Sequence, residues 1–202
     1  MIVPVIHCVD WNQVNYNLDI CSRNGIEMVF LINHTHKSDA VVTLSSLVHM
    51  AKLKYPKMKI GVNFLQLDTK ESIELCEMIH ADAIWSDYEG TSNRNIPFFG
   101  AVAFKYQKHV PNDKLEEVCL EAIKNMDVIT TSGPATGQPA SIEKIKLIRQ
   151  YIGNHKLAIA SGINTENKKI FEKYADYLLV ASSITDSNEM IDEDKLINLI
   201  NS

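Results

Sequence analysis

Short apolar runs rich in valine and isoleucine alternate with amphipathic stretches along the whole chain. An apolar run of four to eight residues suits a strand covered on both faces, and a 3.6-residue apolar period suits a helix packed over it. The first run, residues 2–9, precedes a helical pattern over 11–24 that Gly25 stops. Residues 28–33 read as a second strand, and 38–54 as a helix that ends before Pro56. Residues 59–65 form a third strand. Thr69 is placed to cap a helix through residue 80, with Glu71 and Ser72 in its first turn. Strands over 83–87 and 98–105 are joined by EGTSNRNIP, which is too short for an ordinary helix. A helix over 113–125, a strand over 128–132 and a helix capped by Ser141 and running to residue 152 follow. The chain closes with a strand over 156–161, a helix over 165–174, a strand over 177–182 and a helix over 192–200.

Eight strands separated by helices imply right-handed βαβ crossovers and a parallel sheet, and eight such units close naturally into a barrel. The expected fold is therefore α/β: a single (β/α)8 barrel domain over residues 1–202, its helix after strand four short or missing. An open doubly wound sheet is the competing arrangement.

Composition narrows the partners. Twenty Lys and Arg face 25 Asp and Glu, mixed along the chain with no basic stripe, so nucleic acid is not an expected partner. Cys8, Cys21, Cys76 and Cys119 are widely spaced with no CxxC pair, as buried thiols of a reducing compartment are. The start, MIVPVIHCVD, lacks a basic region and a long apolar core, and no apolar run approaches a bilayer's thickness. A cytoplasmic protein with no membrane partner is expected. Barrels of this kind often dimerise, so a homo-oligomer is compatible with the sequence, although nothing marks an interface.

In parallel barrels the chemistry gathers at the C-terminal ends of the strands. Polar residues collect there in this chain: His7, Asn33 and His34, Asn63, Asp87 and Tyr88, Lys105 and Tyr106, Thr130 through Gly133, Ser161 and Gly162, and Ser182 and Ser183. The turns after strands seven and eight are the most specific. In ASGINTEN, Gly162 allows a close backbone approach, and Asn164 or Thr165 caps the next helix. Free amides there, from Gly162, Ile163 and Asn164, together with Ser182 and Ser183, would cradle a phosphate. A tight βα turn with ordinary serine caps would use the same residues. Neither GxGxxG nor GxxxxGK[ST] occurs, so no dinucleotide or P-loop cofactor is expected. The loop TTSGPATGQPAS, rich in glycine, proline and hydroxyls, is of a kind that closes over a substrate.

The segment from Asp127 to Ser183 resembles the BtpA/SgcQ family of TIM-barrel proteins. The resemblance is carried by Gly133-Pro134-Ala135-Thr136-Gly137-Gln138-Pro139, by Ser161-Gly162-Ile163-Asn164-Thr165-Glu166-Asn167, by Tyr174-Ala175-Asp176 and by Val180-Ala181-Ser182-Ser183. Gly61-Val62-Asn63-Phe64-Leu65 and the histidine near the end of strand one, His7, agree as well. The family's Pro-rich loop after that histidine is absent, and its segment after strand four is shortened, as in a short, divergent member. The resemblance implies the barrel, a phosphate site and a likeness to phosphoribosylanthranilate isomerase.

For catalysis, Asp87 at the rim is the candidate acid or base and Lys105 its partner of opposite role, neutralising an enolate-like charge. A cap or a plain ion pair would use these two residues equally well. His7, Asn33, Asn63, Thr131 and Gly133 are candidates for positioning substrate. The expected activity is proton transfer on a small phosphorylated metabolite, a sugar phosphate or nucleotide-like compound, by an isomerase or lyase. The alternative is a non-catalytic assembly or regulatory factor that retains the phosphate site. A metal-dependent hydrolase using His34 and His36 lacks a visible third ligand, so no metal is expected.

Overall fold

The structure is a computed structural model that describes residues 1–35, 38–88, 90–105 and 107–202. Among these lie eight strands and seven helices. The strands are β1 (Ile2–His7), β2 (Met28–Ile32), β3 (Lys59–Asn63), β4 (Ala83–Ser86), β5 (Phe98–Ala101), β6 (Val128–Ser132), β7 (Lys156–Ala160) and β8 (Tyr177–Val180). The helices are α1 (Trp11–Arg23), α2 (Ala40–Lys54), α3 (Thr69–Met78), α4 (Asn112–Asn125), α5 (Ile142–Ile152), α6 (Lys168–Phe171) and α7 (Glu193–Asn201). Each strand pairs in parallel with the next, and β8 returns to β1, closing the barrel.

The strands are apolar on both faces because each face is buried against something different. Val3, Val5, Met28, Phe30, Ile32, Ala83, Trp85, Phe99, Ala101, Val128, Ala158, Ala160 and Leu179 fill the barrel interior. The alternate positions, such as Ile6, Val29, Leu31, Ile60, Ile84, Ile129, Leu157 and Leu178, pack under the helices. This two-residue period decides which rim side chains reach the mouth.

Three local expectations change, and a fourth, the short or missing helix after strand four, is met. Asp68, not Thr69, caps α3: its carboxylate accepts from the Glu71 amide, and Glu71 accepts from the Asp68 amide, a capping box. Strand five stops at Ala101 rather than residue 105, because Ala103 adopts a left-handed φ of 47° and turns the chain out of the strand. The helix expected over 165–174 is a single turn, α6, preceded by an asparagine-built turn. Between β4 and β5 the described residues contain no helix. There Arg94, its side chain only 7% exposed, pairs with Asp127, donates to the Thr91 carbonyl and lies 5.2 Å from the Phe98 ring centroid. The flank left uncovered between α3 and α4 is a groove of about 1360 Å³. No helix among the described residues is long and apolar enough to cross a membrane.

Candidate functional site

The ends of β7 and β8 form one side of a cavity of about 250 Å³ at the C-terminal mouth of the barrel. Ser161 (φ 73°) and Gly162 (φ 66°) turn the chain sharply out of β7, and Ala181 to Ser183 leave β8 beside them. The backbone N–H groups of Gly162, Ile163, Ser182 and Ser183 donate to no other described residue. The Ser161 and Ser183 hydroxyls are buried and likewise unpartnered. All five residues line the cavity, with Thr136 and Gly137 of the β6 loop above them and Val5, Trp85, Ala160 and Leu179 below. Unpaired amides on successive residues form a concave array suited to an anion.

The lack of a side chain at Gly162 serves a different contact from the one expected. A Cβ there would stand 2.2 Å from the Pro139 nitrogen, and one on Gly133 would stand 1.9 Å from the Gln138 carbonyl oxygen. Gly162 therefore lets the β7 loop pack backbone on backbone against the β6 loop, and Gly133 lets the β6 loop fold back on itself. Gly162 also lines the cavity, whereas Gly133 acts only as scaffold. Asn164 is the turn-builder at the edge of the cavity: its Oδ1 accepts from Glu166 and Asn167, and its own N–H is taken by Asn167 Oδ1 rather than left for a ligand.

Two further site expectations are corrected. Thr131 shares the outward face of β6 with Ile129, fully buried, its hydroxyl 3.5 Å from the Ala103 carbonyl, so it does not reach the mouth; Thr130 and Ser132 take the inward positions. Asn33 is buried in the rim, where its Oδ1 accepts from the Thr35 amide and its carbonyl from Gln66 Nε2. It holds a loop rather than facing the cavity.

The remaining candidates converge on the mouth. Asn63 Nδ2 donates to Asp87 Oδ1 at 3.4 Å. Burial pushes the Asp87 carboxyl up from its ordinary range, while the Asn63 hydrogen bond and the Lys105 charge pull it back down. Lys105 lines the cavity, its Nζ 3.0 Å from Thr136 Oγ1, and its amide is fixed by Ser132 Oγ. Asp87, inward-facing by the alternation of β4 and close enough to Lys105 to feel its charge, lines the adjoining groove rather than the cavity of about 250 Å³ itself. His7 also lines the cavity, with Nδ1 3.1 Å from Glu189 Oε2 and its ring edge-on to His34 at 4.6 Å. His36 and Tyr106 lie outside the described residues. Among the described residues no three His, Cys, Asp or Glu side chains come together as a metal ion would require.

A profile of the BtpA family matches residues 87–202, more than half of the sequence. The chain belongs to the BtpA family. The uncharacterized protein MJ1115 of Methanocaldococcus jannaschii is 25% identical to this BtpA-family chain over 192 residues, covering 79% of the chain and 72% of that relative. A solved structure described as native KDPGal has a TM-score of 0.75 at 8% identity, over 99% of this chain and 92% of its own. Phosphoribosyl anthranilate isomerase from Thermus thermophilus has a TM-score of 0.70 at 12% identity, over 100% and 97%. Thiamine phosphate pyrophosphorylase from Pyrococcus furiosus has 0.65 at 12%, over 99% and 93%. At such identities the likeness is one of fold.

Sequence reasoning missed Trp85, Glu189 and Lys144, and placed Ser161 at the rim without giving it a role. Trp85 reads as core filler until alternation along β4 puts it, with Ala83, inside the barrel. Lys144, at the start of α5, donates to the carbonyls of Ala103 and Ser132, and burial lowers its pKa to about 8. No local motif announces either residue.

Proposed function

We propose that this BtpA-family barrel binds a small phosphorylated metabolite and moves a proton on it, as an isomerase or lyase. One observation carries the binding: four unpaired backbone N–H groups and two unpaired buried hydroxyls surround one cavity at the ends of β7 and β8. Because α6 is a single turn, the amide array itself and the Lys105 ammonium supply the positive potential, not a helix dipole. Gly162, Ile163, Ser182 and Ser183 hold the phosphate, and Asn164 shapes the turn beneath it. The names of the isomerase and pyrophosphorylase that share the fold refer to phosphorylated compounds, which supports the same ligand chemistry here.

For the chemistry, a carboxyl raised by burial is poised to hold or release a proton nearer neutrality than an exposed one. Asp87 takes the acid–base role, with Asn63 orienting it, and Lys105 stabilises negative charge developing on the substrate. The non-catalytic alternative predicts an apolar, filled mouth; the polar pairs His7–Glu189 and Asn63–Asp87 favour the enzyme.

Thermal unfolding in increasing inorganic phosphate tests the site. A ligand that binds only the folded state raises Tm by mass action. Ser182→Asp, at an exposed position of the cavity wall, puts a carboxylate where the phosphate sits. The wild type should gain stability with phosphate and the variant should not, although its Tm without phosphate stays close to that of the wild type. A flat wild-type response would overturn the reading.

A further inference from the structure

The cavity wall opposite the phosphate turns carries a donor that the protein does not use. Trp85 on β4 is 6% exposed, and its ring is held edge-on by Phe30 and Phe104 at centroid distances of 5.7 and 6.0 Å. Its indole lines the cavity, yet Nε1 is buried with no hydrogen-bond partner. Buried N–H groups are seldom left unpaired, because they forfeit the hydrogen bonds that water would give them.

A second polar group on the same cavity is held from behind. Glu189, at a left-handed φ of 58°, brings its carboxylate to His7 Nδ1. Gln13 Nε2 donates both to the His7 carbonyl at 3.1 Å and to the Glu189 carbonyl at 2.7 Å, tying the strand to the loop. Asn17, fully buried, donates to the Glu189 carbonyl and accepts from the Ile191 amide. With Nδ1 engaged, Nε2 is the ring nitrogen left for a ligand, and in the neutral ring it is an acceptor. Between these groups the walls are Val5, Ala160 and Leu179, which suit carbon. The volume, about 250 Å³, falls below the roughly 300–1,000 Å³ of sites for drug-sized ligands.

We propose that the site takes a phosphate monoester of a short polyhydroxy carbonyl compound, a sugar phosphate of pentose size or smaller and not a nucleotide. Trp85 Nε1–H donates to an oxygen of the carbon body, and His7 Nε2 accepts from one of its hydroxyls. This inference rests on the phosphate reading above and narrows it, since a phosphate cradle alone would accept any small phosphate ester.

The test uses the full chain with Trp11→Phe, so that Trp85 is the only tryptophan and its indole N–H gives one resolved NMR signal. The probes are inorganic phosphate, glycerol 3-phosphate, erythrose 4-phosphate, ribose 5-phosphate and AMP. At least one of the two sugar phosphates should bind about tenfold more tightly than inorganic phosphate and move the Trp85 indole signal. Inorganic phosphate should move the Gly162 and Ser183 amide signals and leave the indole where it is. AMP should bind no more tightly than inorganic phosphate. Trp85→Phe should erase the tenfold advantage while inorganic phosphate binds as before; if that variant does not fold, the indole signal of the Trp11→Phe protein decides. Phosphate binding with no gain for either sugar phosphate, an indole signal that none of them moves, or tighter binding of AMP would overturn the inference and leave the phosphate reading standing. Loss of all binding, inorganic phosphate included, would overturn both.

Discussion

The β6–β8 side of the barrel and its β4–β5 side are built from the same strand rhythm and are secured in different ways. On the first, the β6 loop folds back on itself at Gly133 and packs backbone against backbone on the β7 loop at Gly162, and the array of unpaired amides rests on that seam. On the second, no helix covers the flank among the described residues, and one arginine bridging Asp127, Thr91 and Phe98 holds the connection. Backbone packed on backbone leaves almost no freedom, as a preorganised anion site requires. A long side chain secures a loop while leaving the strand ends beside it open to solvent, and Asp87 lies on that open side.

The largest expected effect breaks the rigid side. Gly162→Ala places a Cβ against Pro139 and forces a non-glycine residue to a φ of 66°. We expect a loss of about 3 kcal/mol in chemical denaturation, together with loss of phosphate binding. A loss below about 1 kcal/mol would mean that the two loops slide apart easily and that the seam is not rigid. Glycine at 162 is thus a poor place for a charge-repulsion control, and Ser182 is the better one.

The open side should respond less. Arg94→Ala removes the buried stem and its hydrogen bonds and leaves Asp127 to solvent; about 2 kcal/mol is expected. Arg94→Lys should recover less than half, since an ammonium cannot reproduce the planar contact on Phe98 and the forked hydrogen bonds. Phosphate binding should survive both. If Arg94→Ala instead abolished it, the two sides would be coupled.

The smallest effect concerns the boundary between them, where Lys144 ties the carbonyl after β5 to the carbonyl ending β6. Desolvation lowers its pKa from 10.5 to about 8. Between those values the unfolded chain holds a proton that the folded chain has released. On this account stability rises with pH across that window. Lys144→Met should flatten this rise in a denaturation series from pH 7.5 to 10, and an unchanged slope would assign it to other groups.

Much of the fold was legible because it depends on short-range pattern. Apolar runs marked the strands within a few residues, and Ser141 and Gly25 marked helix limits that the structure keeps. Asp68 was legible as the cap and was passed over: it ranks above Thr69 as a capping type, and Glu71 stands at the third position after it, as a capping box requires. The turns after β7 and β8 that line the cavity were legible from glycine and serine at the strand ends. Asn33, Thr131 and Gly133 were not separable from true cavity residues, because a one-residue step along a strand, or a partner from a distant loop, reverses which way a side chain serves.

The sequence by itself determined the eight-strand rhythm, the burial of both strand faces and the concentration of polar residues at one end of the barrel. All three follow from local periodicity. Tertiary structure alone decided that Gly162 faces Pro139, that Trp85 lines the mouth with an unused N–H, that Glu189 reaches His7 from 182 residues away and that Lys105 and Asp87, within reach of each other's charge, line two adjoining hollows. These depend on barrel closure, which brings β8 beside β1 and sets loops distant in sequence within hydrogen-bonding reach. No local signal encodes that closure.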